Sequence, residues 1–211
     1  AYLYANGYFT VTEYPVVELR PENEYRSSTD IDVLAVRFPN SARLIPTPND
    51  TIDDDVIVRM LDPKLGSSDE RIEFIIGEVK EGRAELNRGA TRTHVLRTAL
   101  VRFGYFKHDA IEGIVDRLTR KGTADYDGAR VRLIAFGAYR SEYQRREYTV
   151  VTLRQIVDHL DVLFERHADR LGAAQFKDPA IAMLMVLHKA RLAPRADDQS
   201  LPVALPTPRW N

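Results

Sequence analysis

The chain has no cysteine among its 211 residues. That excludes a disulfide scaffold, a zinc-thiolate site, an iron–sulfur cluster and a cysteine nucleophile. It also lacks a run of about 18 apolar residues, the length a membrane-spanning helix needs. Its longest apolar stretch near the C-terminus, Ile181 to Leu187, is too short. No signal-peptide pattern follows Ala1. HExxH, G-x-S-x-G, Walker A and G-x-G-x-x-G are all missing, so zincin, hydrolase-elbow and nucleotide-loop chemistry have no support. Lysine is scarce, at 6 residues against 24 arginines. A formal net charge of −1 excludes a strongly basic protein that would hold nucleic acid by overall charge alone.

What is present suffices for one folded α/β domain with an appendage. The chain is 44% hydrophobic and 29% charged, enough to bury a core and stay soluble, and a cytoplasmic location is expected. The small net charge conceals an asymmetry. Residues 1–80 carry 8 Lys and Arg against 15 Asp and Glu, residues 81–154 carry 15 against 9, and residues 155–211 carry 7 of each. An acidic first part and a basic middle suit either two solvated faces or an acidic pit beside a phosphate-binding surface.

Residues 1–7 read as a helix end stopped by Gly7, residues 8–19 as strand bent at Pro15, and residues 30–38 as a strand after a polar turn. Residues 39–55 read as a loop and residues 56–61 as a short strand. Residues 72–80 form a nearly continuous apolar strand of the kind covered on both faces. Helical spacing spans residues 83–103, interrupted at Gly89. An amphipathic helix spans 109–121, with Ile111, Ile114, Val115 and Leu118 on one face. Strands are expected at 130–138 and 148–153, helices at Val157–Leu171 and Pro179–Leu192, and an extended proline-rich tail at 193–211. This order predicts an α/β core with a mixed central sheet flanked by helices.

Two strands carry charge where core residues belong. In Thr29-Asp30-Ile31-Asp32-Val33-Leu34, the two aspartates share a face, and in Ile76-Gly77-Glu78-Val79-Lys80 the glutamate and lysine do. Ionised groups there are costly unless paired or bound to a cation. If the strands are neighbours, Asp32 and Glu78 meet within reach of one divalent ion. They would supply hard oxygen ligands for Mg²⁺, with Mn²⁺ as a substitute, and Lys80 would assist the attacking water. Asp30 and Glu81 stand close enough in sequence to serve a second ion, although Asp30 also reads as a turn residue opening the strand and Glu81 as a helix N-terminal acid.

This set resembles the PD-(D/E)xK nuclease superfamily, through Asp32 in TDIDVLAV and Glu78-Val79-Lys80 in FIIGEVKEG. The resemblance extends over residues 1–154 by element order. It implies a restriction-endonuclease-like core over 1–154, a C-terminal helical extension over 155–192 and the tail beyond. It implies metal binding by Asp32 and Glu78, catalysis by Lys80, and hydrolysis of DNA phosphodiester bonds, with RNA left open. Members often carry a glutamate on the helix before the first strand. None lies in residues 1–7, and Glu13 falls on a strand.

Asp62-Pro63-Lys64 also matches the bare pattern, but its proline and the following glycine set it in a turn. Asp53-Asp54-Asp55 lacks EF-hand spacing and reads as a solvated loop. The histidines at 94, 108, 159, 167 and 188 form no ligand set. Arg88, Arg92 and Arg97, with Arg102, are expected along one helical stretch as contacts for nucleic-acid phosphates. A rival reading makes the helix pair and the turn at Asp127-Gly128 a winged helix, with Arg117, Arg120, Lys121, Arg130 and Arg132 on phosphates. A non-catalytic nucleic-acid-binding protein, whether winged helix or inactive nuclease core, is therefore the alternative. Cutting both strands of a duplex would favour a homodimer.

Overall fold

The computed structural model describes residues 1–44, 57–58, 61–140, 147–167 and 179–192. The aspartate cluster at 53–55 and the tail from 193 lie outside the described residues. The chain divides into two compact units, Ala1–Leu163 and Phe164 onward.

The first unit is an α/β fold around a six-stranded mixed sheet. A short helix α1 (Tyr2–Ala5) leads into β1 (Phe9–Leu19) and β2 (Tyr25–Arg37). The two-residue strands β3 (Arg43–Leu44) and β4 (Ile57–Val58) pair with each other. A 3-10 turn at Pro63–Leu65 precedes β5 (Ile72–Val79) and β6 (Arg83–Ala84). Then come α2 (Thr93–Phe103), α3 (Ile111–Lys121), β7 (Thr123–Tyr126), β8 (Ala129–Gly137), β9 (Tyr139–Arg140), β10 (Thr149–Thr152) and α4 (Leu153–Arg166). The sheet order is β1-β2-β5-β8-β10, and β7 shares the outer edge of β8 with β10. β2 runs antiparallel to both its neighbours, β1 and β5, whereas β5, β8 and β10 run parallel.

The apolar runs of β5 and β8 follow from burial on both sheet faces. On one face Leu34, Phe74, Ile76, Val131 and Leu133 pack against Leu96, Leu100, Ile114 and Leu118 of α2 and α3. On the other, Ala35, Ile75, Ile134 and Phe136 pack with Tyr2 and Leu3 of α1, and Ile156 of α4 lies against them. α2 and α3 end at Gly104 and Gly122, both left-handed, as a helix stop requires. Asp127 and Gly128 both have positive φ, the demand of a two-residue hairpin turn, and they join β7 to β8.

Three boundaries differ from the sequence expectation, and one alternative assembly of elements is excluded. β2 begins at Tyr25, so Asp30 lies inside a strand rather than opening one. The polar half of β2 is held by pairing with β1, which side-chain hydrophobicity does not register. The helix expected over 83–103 starts only at Thr93, because Arg83–Ala84 pairs with Tyr139–Arg140 instead. Arg88 and Arg92 therefore precede the helix, and only Arg97 and Arg102 lie on it. α4 begins at Leu153, four residues earlier than read, directly after β10. The hairpin β7–β8 belongs to the central sheet and α2 and α3 to its cover, so these elements make no separate winged helix.

The second unit holds the end of α4 and α5 (Pro179–Leu192), which has the bounds expected from sequence. Among the described residues no helix is long and apolar enough to cross a membrane.

Candidate functional site

Asp32 and Glu78 come together through strand register. β2 and β5 are antiparallel, with Val33 opposite Gly77. One rung further, Asp32 stands opposite Glu78, and directly opposed residues of such a pair share a face. The Val79 N–H donates to Asp32 Oδ2 at 2.7 Å, which holds that carboxylate at the strand end. Gly77 leaves room for the approach, since a Cβ there would lie 3.1 Å from the Phe136 ring and 3.3 Å from Val33 Cβ.

The Glu78 side chain is 4% exposed and that of Lys80 is 37% exposed. Lys80 Nζ donates to Glu78 Oε1 at 2.5 Å. Its backbone N–H donates to the Phe136 carbonyl at 2.9 Å, extending the ladder past the end of β5. Burial pushes the Glu78 carboxyl above the ordinary range; the bond from Lys80 opposes this, and the charge of Asp32 adds to it. The bond to Glu78 in turn raises the Lys80 ammonium above its usual value. Two carboxylates thus share one ammonium, and the more buried of them is short of compensating charge.

The remaining sequence candidates distribute around this pair. Asp30 is exposed in β2, opposite Pro15, and Glu81 is exposed just after Lys80. Neither side chain forms an ion pair among the described residues. Glu13 lies in β1 between the rungs Thr12–Val33 and Tyr14–Ile31, so it is level with Asp32. It is exposed and has φ of +53°, unusual inside a strand. Among the described residues no group of three or more His, Asp or Glu is placed to hold a metal ion. Asp32 and Glu78 are the donor pair on offer, and two carboxylates fit an ion such as Mg²⁺ that retains several of its waters.

Arg88 and Arg92 are exposed on the segment between β6 and α2. That segment passes beside β2, because a Cβ on Gly89 would lie 3.4 Å from Thr29 Oγ1. Arg97 faces elsewhere: its guanidinium is bound twice by Glu112, at 2.5 and 2.6 Å. Arg130 and Arg132 are spent inside the fold. Arg130 chelates the fully buried Glu73, and Arg132 donates to the Leu65 carbonyl at 2.6 Å and to Ser67 at 2.9 Å. Arg120 pairs with Asp116.

One feature beside the site escaped the sequence. β6 and β9 form a small parallel ribbon just beyond Lys80, carrying Arg83, Tyr139 and Arg140. The only sequence signal was Gly137, a small residue ending an apolar strand.

Comparison with family models, with curated proteins and with solved structures found no match to this chain. What is defined is therefore a class: an α/β domain with a mixed six-stranded sheet flanked by helices, bearing a carboxylate pair and a lysine at one strand end.

Proposed function

We propose that the protein is a metal-dependent nuclease of the PD-(D/E)xK type that hydrolyses DNA phosphodiester bonds. The observation that carries this reading is the buried Glu78 carboxylate, set opposite Asp32 with Lys80 as its counter-charge. Leaving a carboxylate almost out of water with another beside it is unfavourable for folding alone. It becomes favourable when a divalent cation occupies the pair. The sheet order supports the reading as well: three antiparallel strands, then two helices, then a parallel strand against the third.

Asp32 and Glu78 would hold the ion, Mg²⁺ or Mn²⁺, through their oxygens. Such a cation lowers the pKa of a bound water and neutralises charge on phosphoryl oxygens. Asp32 is oriented by the Val79 N–H. Lys80, more exposed than Glu78, offers its remaining ammonium protons to the attacking water or to the charge that develops on phosphate. Arg88 and Arg92 supply exposed positive charge near β2 to hold the strand by its phosphates. RNA offers the same phosphodiester chemistry, and a duplex cut on both strands would need two copies of the chain.

The test is cleavage of labelled single- and double-stranded DNA with Mg²⁺, Mn²⁺ or EDTA. Cutting should require the cation and fall by about a hundredfold or more in Asp32→Ala, Glu78→Ala and Lys80→Ala. Salt-sensitive DNA binding without cutting under any cation would favour the non-catalytic binding protein.

A further inference from the structure

We infer that Tyr139 is a stacking platform for an unpaired base beside the bond to be cut, so that the substrate is a single strand or an unpaired nucleotide at a duplex end. The inference rests on the nuclease reading of Asp32, Glu78 and Lys80.

The ribbon that carries Tyr139 is fastened to the strand end that carries Glu78 and Lys80. The Lys80 N–H donates to the Phe136 carbonyl at 2.9 Å, and the Ala138 N–H donates to the Gly82 carbonyl at 2.7 Å. Gly137 lets the ribbon approach so closely that a Cβ there would lie 2.7 Å from Ala84 Cα. Tyr139 is paired in register with Arg83, three residues after Lys80. It lies two residues beyond Gly137, about 7 Å further along the chain at strand spacing.

The ring is offered outward. Tyr139 is 58% exposed, and its hydroxyl lies 4.0 Å from where a Cβ on Gly82 would stand, so one edge rests over bare backbone. Arg83 and Arg140 flank it and are exposed; Arg83 carries an ion pair with Glu85 at 2.7 Å. An exposed aromatic face with cations near it binds a nucleobase and its phosphates. The bases of an intact duplex present only their edges in the grooves, their faces being covered by their neighbours. Away from the ends of a duplex, a base that uses Tyr139 must therefore be unpaired.

The experiment measures binding and cutting separately. Fluorescence anisotropy in EDTA compares a short labelled oligothymidylate with a duplex closed at both ends by non-nucleotide linkers, using wild type, Tyr139→Phe and Tyr139→Ala, each checked for folding by circular dichroism. Tyr139→Ala should lose about five- to a hundredfold in single-strand affinity, Tyr139→Phe should keep it, and duplex affinity should be unchanged. Equal single-strand affinity in Tyr139→Ala overturns the inference. So does a loss shared by the duplex, a loss shared by Tyr139→Phe, or a wild type that binds neither strand form. Cutting assays with Mn²⁺ and Glu78→Ala then separate the two readings. Metal-dependent cutting with no Tyr139 effect on binding sinks the stacking role alone. Selective stacking without any cutting sinks the nuclease reading alone.

Discussion

Glu78 holds the conflict on which the functional reading depends. Burial makes its ionised form unfavourable, and Lys80 compensates only in part. The folded carboxyl therefore binds its proton more tightly than the unfolded one, and stability linked to this group is present below about pH 4 and lost as pH rises. Replacing it by a neutral amide of the same shape removes that loss. Glu78→Gln should be at least as stable as wild type at neutral pH, and its advantage should grow between about pH 4 and pH 7, while cutting disappears. Urea midpoints at the two pH values decide it; a variant that loses ground as pH rises contradicts the account. Asp32 and Glu78 were legible as a pair because charged residues interrupt apolar strands. That Glu78 is the buried member, and that the Val79 N–H holds Asp32, were not legible, since both depend on which strands lie side by side.

At the level of elements, apolar period identified β5, β8 and α3 well, because each buries residues whose spacing matches its own geometry. It failed over residues 83–92. Helical spacing is present there, yet Arg83–Ala84 is drawn into a ribbon with a segment more than fifty residues away. Gly137 is the hinge of that arrangement. In Gly137→Ala the new Cβ would meet the Ala84 backbone on a neighbouring strand, where no side-chain rotation relieves it. The substitution should cost about 1–3 kcal/mol, read as a shift in denaturant midpoint, and should weaken any activity that uses the β6–β9 ribbon. An unchanged midpoint would mean that the ribbon is not held as described.

Across the molecule, the face opposite α2 and α3 is built on polar contacts as well as apolar ones. Tyr2 OH donates to Asp62 Oδ2 at 2.7 Å, and Asn6 Oδ1 accepts from the Asp62 N–H at 2.5 Å. The buried Arg37 donates to the Asn6 carbonyl at 3.1 Å and pairs with Asp69. Burial, and then the bond to Asp62, raise the pKa of the Tyr2 hydroxyl far above its ordinary value, and burial raises that of Tyr8 as well. The folded state keeps these protons where the unfolded chain releases them. The contribution is full below about pH 10 and lost as pH rises further. Tyr2→Phe should be less stable than wild type near pH 8 by about 1–3 kcal/mol, and the gap should narrow toward pH 11. Midpoints that fall in parallel over that interval would show that Tyr2 carries none of the alkaline loss.

The amino-acid sequence by itself determined the α/β class, the position of most strands and helices, and the presence of carboxylates and a lysine inside apolar strands. These follow from local period and from the cost of burying charge, both readable one segment at a time. Only the tertiary structure decided that β2 and β5 are neighbours in the register that sets Asp32 against Glu78. It also decided that Arg97, Arg130 and Arg132 are spent on Glu112, Glu73 and backbone carbonyls, and that Tyr139 is paired with Arg83, three residues beyond Lys80. The reason is physical: strand pairing and ion pairing join residues tens of positions apart, and their energy depends on distances that no local pattern of side chains encodes.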